Sequence, residues 1–300
     1  MDPLSYFSQQ ALNALPVAAL YALLAFAYAL TFGLTRRVDF TAGALFAFSG
    51  QVFVIFTAIG WTGLRLVYPA ALAFGAVFAL LYSALAGHVI ASRLIAPVAA
   101  RAPNAVVMLS LAVMIVLMET VRIAADSRDL WIAPVLNTHV IFAGSGQGTV
   151  LLTRLQIANT ALMAGVVITG MVYLHRSAWG RDWRAVADDR LAARLFGIDD
   201  ERFTRRSVLL TAILAASAGI LATAYYGNMS FGAGLMFGLK VVMIAAIGDQ
   251  LRPDRLAMGA AVYGVAETFW GAYLPFAWRD IALFAALVLL AVIFRRRERI

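Results

Sequence analysis

The chain is 300 residues long, 63% hydrophobic and only 13% charged, with a mean hydropathy of +0.84 and a formal net charge of +8. A soluble domain carries about a quarter charged residues and roughly half apolar ones, so this apolar excess has no core to hide in and must face lipid. The absence of cysteine excludes a disulfide framework and every Cys-based metal or redox centre. His88, His139 and His175 are too far apart to form a ligand pattern, and the basic residues sit between apolar runs. They read as membrane-flanking loops rather than as a nucleic-acid surface.

A helix needs about 20 apolar residues to cross a bilayer. In chain order, such runs occupy about 15–34, 40–60, 67–90, 104–124, 155–174, 207–226, 229–248, 256–274 and 278–294. The first is not a signal peptide, because no basic residue precedes it and no small-residue cleavage site with a soluble domain follows. The expected fold is therefore all-α: a polytopic transmembrane helix bundle of eight or nine spans, one domain over 1–300. Two runs leave the count open. The 40–60 run opens on Asp39 and Thr41, and the 229–248 run is interrupted by Gly232, Gly234 and Gly238 and carries Lys240. Each is a candidate for a broken or re-entrant helix, which a membrane tolerates only along a protein-lined cavity.

With nine spans and the N-terminus outside, eighteen of the 24 basic residues fall in inside loops and in the tail. Only Arg65, Arg128, Arg154 and Arg279 fall outside, the asymmetry that the positive-inside rule predicts. This orientation puts the 125–153 loop outside and the 175–206 loop and the C-terminus in the cytoplasm. The outer loop combines Pro134, Gly144, Gly146 and Gly148 with alternation over Thr138 to Phe142, as a short hairpin, an interfacial helix or a plain surface loop would. In the inner loop, Asp182 to Phe196 read as one amphipathic helix, with Trp183, Val186, Ala187, Leu191 and Leu195 on its apolar face. Gly197 supplies its stop, and Asp199-Asp200 begins the next helix. A helix joined to spans at both ends can pass force from a cytoplasmic partner; a solvated loop helix is the plainer alternative.

Ionisable residues within spans cost roughly 2.5–3.5 kcal/mol each on insertion scales. Glu119 and Arg122 lie three apart and are expected to form a structural ion pair. Lys240, the single lysine, is expected to cap broken-helix carbonyls, to face a partner subunit, or to snorkel. Glu267 lies mid-span and is expected to face the bundle, for a structural hydrogen bond or for substrate. Asp39 follows Arg36-Arg37, as a helix cap or local ion partner would. Gly43, Gly50, Gly75, Gly219, Gly259 and Gly264 read as close helix-packing positions.

Several stretches taken together carry a family resemblance: Gln9-Gln10, Asn13, Leu15 and Tyr21-Ala22-Leu23 at the start, then Gly180-Arg181, Arg184 to Asp189 and Ala192 to Ile198 in the inner loop. Gly238-Leu239-Lys240, Gly264 to Glu267 and Arg279-Asp280 follow in the last third. In order and spacing, the chain resembles the permease family of branched-chain amino acid ABC importers, the LivH/LivM-like membrane subunits, from about residue 9 to 294. The resemblance implies a membrane-spanning subunit that forms the translocation path and binds no cofactor itself. ATP and Mg would sit on separate cytoplasmic ABC ATPase subunits. It also implies a second permease subunit, the same or related, and a periplasmic substrate-binding protein, in a bacterial inner membrane.

By the same resemblance the 180–198 stretch is the loop that docks on the ATPase, with Arg184, Asp188, Asp189, Ala192, Ala193 and Gly197 as its motif residues. Leu191 stands where that motif carries Glu, so the acidic contact either comes from Asp188 or Asp189 or is missing. Asp39, Gly43, Lys240 and Glu267 become candidates for the translocation path. The segment Asp39 to Ala44 lacks the His and acidic residues common at that point of the family, and the Gly-rich turn is altered to Gly248 through Pro253. Branched-chain or other hydrophobic amino acids are the implied cargo, with urea, short amides or small carboxylates as alternatives.

The chain has no G-x-x-x-x-G-K-[ST] phosphate loop, so the energy for transport must come from a partner. An ion-coupled secondary transporter is the rival from another class, with Glu119, Glu267 and Asp39 as its available acids. A lipid-modifying enzyme would need a His-rich or paired-carboxylate constellation, which is missing.

Overall fold

The computed structural model describes residues 3–134, 136–143, 149–247 and 252–297. Among these, seven helical segments are long and apolar enough to cross a membrane: Pro3–Thr35, Thr41–Gly63, Tyr68–Ala99, Ala105–Ala124, Arg154–Arg176, Asp200–Tyr226 and Phe276–Ile293. Two further helices complete the bundle. Ala233–Ile247 is apolar but has only 15 residues, about 22 Å, short of the roughly 30 Å hydrocarbon core. Pro253–Tyr273 is long enough, but it carries Asp254, Arg255 and Glu267.

Helix α1 (Pro3–Thr35) is the axis of the bundle. Its apolar stretch is almost wholly buried, and it packs against α6 (Arg154–Arg176), α9 (Asp200–Tyr226) and α11 (Pro253–Tyr273). That burial explains its composition, since a helix apolar all round is one enclosed by other helices. Helix α2 (Thr41–Ala58) runs unbroken into a π-helical turn, Ile59–Gly63, so the first of the two suspected interruptions is absent. It packs on α3 (Tyr68–Val89), α5 (Ala105–Ala124), α9 and α10 (Ala233–Ile247). Helix α3 continues through a π-helical stretch, Ile90–Ile95, into α4 (Ala96–Arg101). Helix α12 (Arg279–Arg297) lies at the rim, preceded by a 3-10 turn, Phe276–Trp278.

Lipid offers no hydrophobic drive for helices to associate, so close contact rests on small residues and interhelical hydrogen bonds. A Cβ at Gly43 would stand 2.5 Å from the Gly234 carbonyl of α10, and one at Gly264 would stand 2.8 Å from Ala18 Cα of α1. At Gly219 it would overlap the Phe46 carbonyl of α2. The hydroxyls of Thr31 and Thr211 meet at 2.8 Å, Thr211 donates to the Ala27 carbonyl at 2.7 Å, and Asn159 donates to the Leu221 carbonyl at 2.8 Å. Gly50 and Gly75 also sit against neighbouring helices, but Gly259 does not: nothing among the described residues lies within 4 Å of a Cβ built there. Within this chain it is therefore not a helix-packing position. Periodicity cannot tell a glycine on a helix-facing side from one on an open face. Gly219→Leu is expected to lower the thermal inactivation midpoint in detergent by several degrees, whereas Gly259→Leu leaves it unchanged or raises it.

The 125–153 loop holds a two-stranded antiparallel hairpin, β1 (His139–Ala143) and β2 (Val150–Thr153), pairing His139 with Thr153 and Ile141 with Leu151. Gly144, Gly146 and Gly148 lie outside the described residues. The Gln9 side chain both accepts from the Leu151 amide and donates to its carbonyl, each at 2.8 Å, so α1 covers the hairpin's free edge.

Candidate functional site

Four ionised side chains and a tyrosine converge between α1, α10, α11 and α12. Lys240 of α10 is 5% exposed and Glu267 of α11 8%. The Lys240 ammonium lies 2.8 Å from Glu267 Oε1 and 3.1 Å from an Asp280 carboxylate oxygen. The Tyr21 hydroxyl of α1 donates to Glu267 Oε2 at 2.7 Å. Arg279 lies 3.6 Å from Glu267 and 3.4 Å from Asp280, with its guanidinium 4.2 Å from the Phe276 ring centre. The four charges sum to zero, which is what allows them to sit together in a poorly hydrated bundle. Residues from four helices share the cluster, so it fastens α10, α11 and α12 to the axial helix.

Beside this cluster, α2 and α10 cross at Gly43, Gly234 and Gly238, nearly backbone to backbone. Asp39 is buried just before α2, its carboxylate accepting from both the amide and the hydroxyl of Thr41. Farther along α2, the buried Gln51 side chain donates to the Met229 carbonyl and Ser49 donates to Ala216 of α9 at 3.2 Å. A cavity of about 10 Å³ beside Gln51, walled by α2, α5 and α10, has room for about one water.

At the other end of the bundle, the loop after α6 folds into two helices, α7 (Ala178–Asp188) and α8 (Arg190–Leu195), rather than the single helix expected over 182–196. Asp189 breaks the run because its carboxylate caps α8, accepting from the Leu191 and Ala192 amides. Trp183 of α7 is fully buried over Gly33 and donates its indole N–H to the Leu30 carbonyl at 3.3 Å. Arg36 caps the far end of α7 through the Ala187 and Asp188 carbonyls, and Arg184 donates to the Leu174 carbonyl of α6. Arg194 makes two hydrogen bonds to Asp200 of α9, at 2.6 and 2.9 Å, and Arg190 donates to Thr204. Burial pulls the Arg190 guanidinium below its ordinary range, and the Asp200 carboxylate opposes that shift.

The break also re-aims the apolar residues. Trp183, Val186 and Ala187 are buried as expected, but Leu191, Leu195 and Phe196 point away from the bundle, with Leu195 82% and Phe196 87% exposed. Gly197, at φ +82°, ends α8 in the left-handed region, and Asp199 caps α9 through the Arg202 amide.

Residues 10–293 match the family described as branched-chain amino acid transport system / permease component. The chain belongs to that family. It is 26% identical over 289 residues to the high-affinity branched-chain amino acid transport system permease protein LivH of Salmonella typhimurium, which spans 96% of this chain and 94% of that one. LivH of Escherichia coli gives the same figures. BraD of Pseudomonas aeruginosa, a permease protein of the same description, is 27% identical over 298 residues, 98% and 96% of the two chains. No solved structure matches.

Membership makes this permease a multi-span transport subunit. Of its path candidates, Lys240 and Glu267 are brought together, while Gly43 lies on the neighbouring helix crossing and Asp39 at the start of α2. Glu119 and Arg122 pair at 2.6 Å, but on a half-exposed face of α5 rather than within the bundle. The altered turn is described only at Arg252 and Pro253, because 248–251 lie outside the described residues. The loop residues separate by role: Ala193 is buried, Arg184 fastens the loop to α6, and Asp189 caps α8.

Sequence reasoning missed Tyr21, Arg279 and Asp280 as members of the charge cluster, and Leu195 and Phe196 as an uncovered surface. An Arg-Asp pair opening the last apolar run was a legible sign of the former. For the latter, an Asp with helix-capping character inside an amphipathic run was the available sign.

Proposed function

We propose that this chain is the membrane-spanning subunit of an ABC importer for branched-chain or other hydrophobic amino acids, driven by cytoplasmic ATPase subunits that dock on α7 and α8. The observation that carries this reading is the loop's two-sided construction. One side is fastened to α1, α6 and α9 by Trp183, Arg36, Arg184 and the Arg194–Asp200 pair. The other presents Leu191, Leu195 and Phe196 with nothing among the described residues covering them. A lever requires both, a rigid attachment to the spans and an apolar surface for the part that pushes.

In this reading ATP and Mg belong to the partner, α8 faces the cytoplasm, and the N-terminus lies outside. The start of α2 and its crossing with α10, with Asp39 and Gly43, flank the path. The Lys240–Glu267 pair forms a fixed wall beside it. A second permease subunit closes the path laterally, and a periplasmic binding protein delivers the cargo. The same pair weakens the ion-coupled alternative, since an acid already neutralised by Lys240 and Tyr21 is poorly placed to shuttle protons or sodium.

Leu195→Asp and Phe196→Asp are expected to reduce co-purification of the ATPase by tenfold or more, on the order of the cost of placing a bare charge in an apolar contact. Their melting should match that of the parent, because both sites are exposed. Retained association in both variants would sink the docking reading. For cargo, a thermal-shift screen of the cognate binding protein should respond to leucine, isoleucine or valine. A response only to urea, short amides or carboxylates would reassign the substrate and leave the machinery unchanged.

A further inference from the structure

An apolar groove of about 520 Å³ runs down the outside of the bundle between α1, α6 and α9. Its α6 wall extends from Ala161 to Leu174, about 20 Å at the helical rise, which is roughly the depth of one bilayer leaflet. Phe26 and Leu30 of α1 form the floor, and Leu210 and Leu214 line the α9 side. Gly165 leaves the middle open, since nothing among the described residues lies within 4 Å of a Cβ built there.

At the α7 end, aromatic rings mark the membrane interface. Tyr173 stacks on Trp179, and Trp179 on Phe203 of α9. Close to these rings in the chain, each groove wall carries an arginine. Arg176 follows Tyr173 by three residues on α6, and Arg206 precedes Leu210 by four on α9, each on the helix face that lines the groove. Both are exposed, and neither has an ion-pair or hydrogen-bond partner among the described residues.

We propose that the groove holds one acyl chain of an anionic phospholipid, with the headgroup phosphate between Arg176 and Arg206. A hydrocarbon slot of leaflet depth that opens onto two unpartnered guanidinium groups at an aromatic interface matches a lipid at both ends. A zwitterionic lipid would fit the slot but gain less at its mouth. The role is distinct from cargo or ATPase binding: the lipid seats α6 against α1 and α9, next to the docking loop.

Native mass spectrometry of the full-length chain in detergent, given equal phosphatidylglycerol and phosphatidylcholine, tests this. Retention of phosphatidylglycerol should exceed that of phosphatidylcholine, with each arginine contributing about a fivefold preference. Arg176→Gln and Arg206→Gln should each lower that preference by about fivefold while leaving melting unchanged. Gly165→Leu, whose side chain enters open space, should release both lipids. Equal retention of the two lipids by the parent, or lipid retention unchanged by Gly165→Leu, overturns the proposal. So does cross-linking of a Gly165→Cys variant to another copy or another subunit, a clean probe in a chain without cysteine, because it would place protein rather than lipid in the groove.

Discussion

Lys240→Met is expected to lower the thermal inactivation midpoint of the detergent-solubilised chain by on the order of 10 °C, the equivalent of about 3–5 kcal/mol for breaking one side of a buried ion pair. The substitution removes one positive charge from a balanced set of four and leaves Glu267 and Asp280 to share Arg279. The sign of the control decides the mechanism. Lys240→Met combined with Glu267→Gln removes one charge of each sign, leaving Arg279 with Asp280, and Tyr21 can still donate to the glutamine oxygen. The double variant should therefore melt closer to the parent than either single variant does, an interaction of roughly 1–3 kcal/mol in a double-mutant cycle. Additive losses would mean that charge balance is not what holds α10, α11 and α12 to α1. If transport in reconstituted vesicles fell much further than stability in the double variant, the pair would contribute to the path as well as to the frame.

The second large effect concerns the loop of α7 and α8, the proposed docking site. Trp183→Ala deletes a fully buried indole that rests on Gly33 and donates to Leu30. Truncating a buried aromatic side chain costs about 3–5 kcal/mol. Here most of the loss is expected locally, as undocking of α7 from α1. In reconstituted vesicles with the ATPase, Trp183→Ala should retain ATPase association through the uncovered Leu195 and Phe196. It should nevertheless lose most of the coupling between hydrolysis and uptake. Trp183→Phe, which keeps the ring and loses the hydrogen bond, should retain more of it. Loss of ATPase association together with coupling would show that Trp183 shapes the docking surface itself, and the lever account would fail.

The two variants separate the parts of the machine by their physics. The charge cluster is an electrostatic clasp built on the buried Lys240–Glu267 pair, so a single unbalanced charge there is costly. Trp183 is a packing wedge, and its cost is a cavity together with a lost attachment. Leu195 and Phe196 are exposed, so their substitution should leave the stability of the isolated fold nearly unchanged.

Reading the sequence located most of the helices but not what they do together. The apolar lengths of the runs and the arginine loops were enough for a polytopic bundle, because bilayer thickness imposes a length on any spanning helix regardless of its neighbours. The hairpin was legible as one of three forms from the alternation at Thr138 to Phe142. Burial on the α7–α8 loop was legible only up to Asp188. Beyond it, helical spacing assigned Leu191 and Leu195 to the buried face. The Asp189 cap instead restarts the helix with a new rotation and exposes them. Periodicity holds only within an unbroken helix, and one side-chain hydrogen bond resets its phase.

Length, hydropathy, charge placement and the ordered motifs thus determined by themselves that this is a polytopic permease of its family. Each of those properties is additive along the chain and needs no knowledge of which helix meets which. Tertiary structure alone decided that Lys240 meets Glu267, Asp280 and the Tyr21 ring rather than a helix end or the interface, that Gly219 is a contact and Gly259 is not, and that the α7–α8 loop is fastened on one side and open on the other. Those and the Tyr21–Glu267 hydrogen bond are pairings between residues up to 246 positions apart. A single helix's pattern records that a face will be buried, but not the partner that buries it.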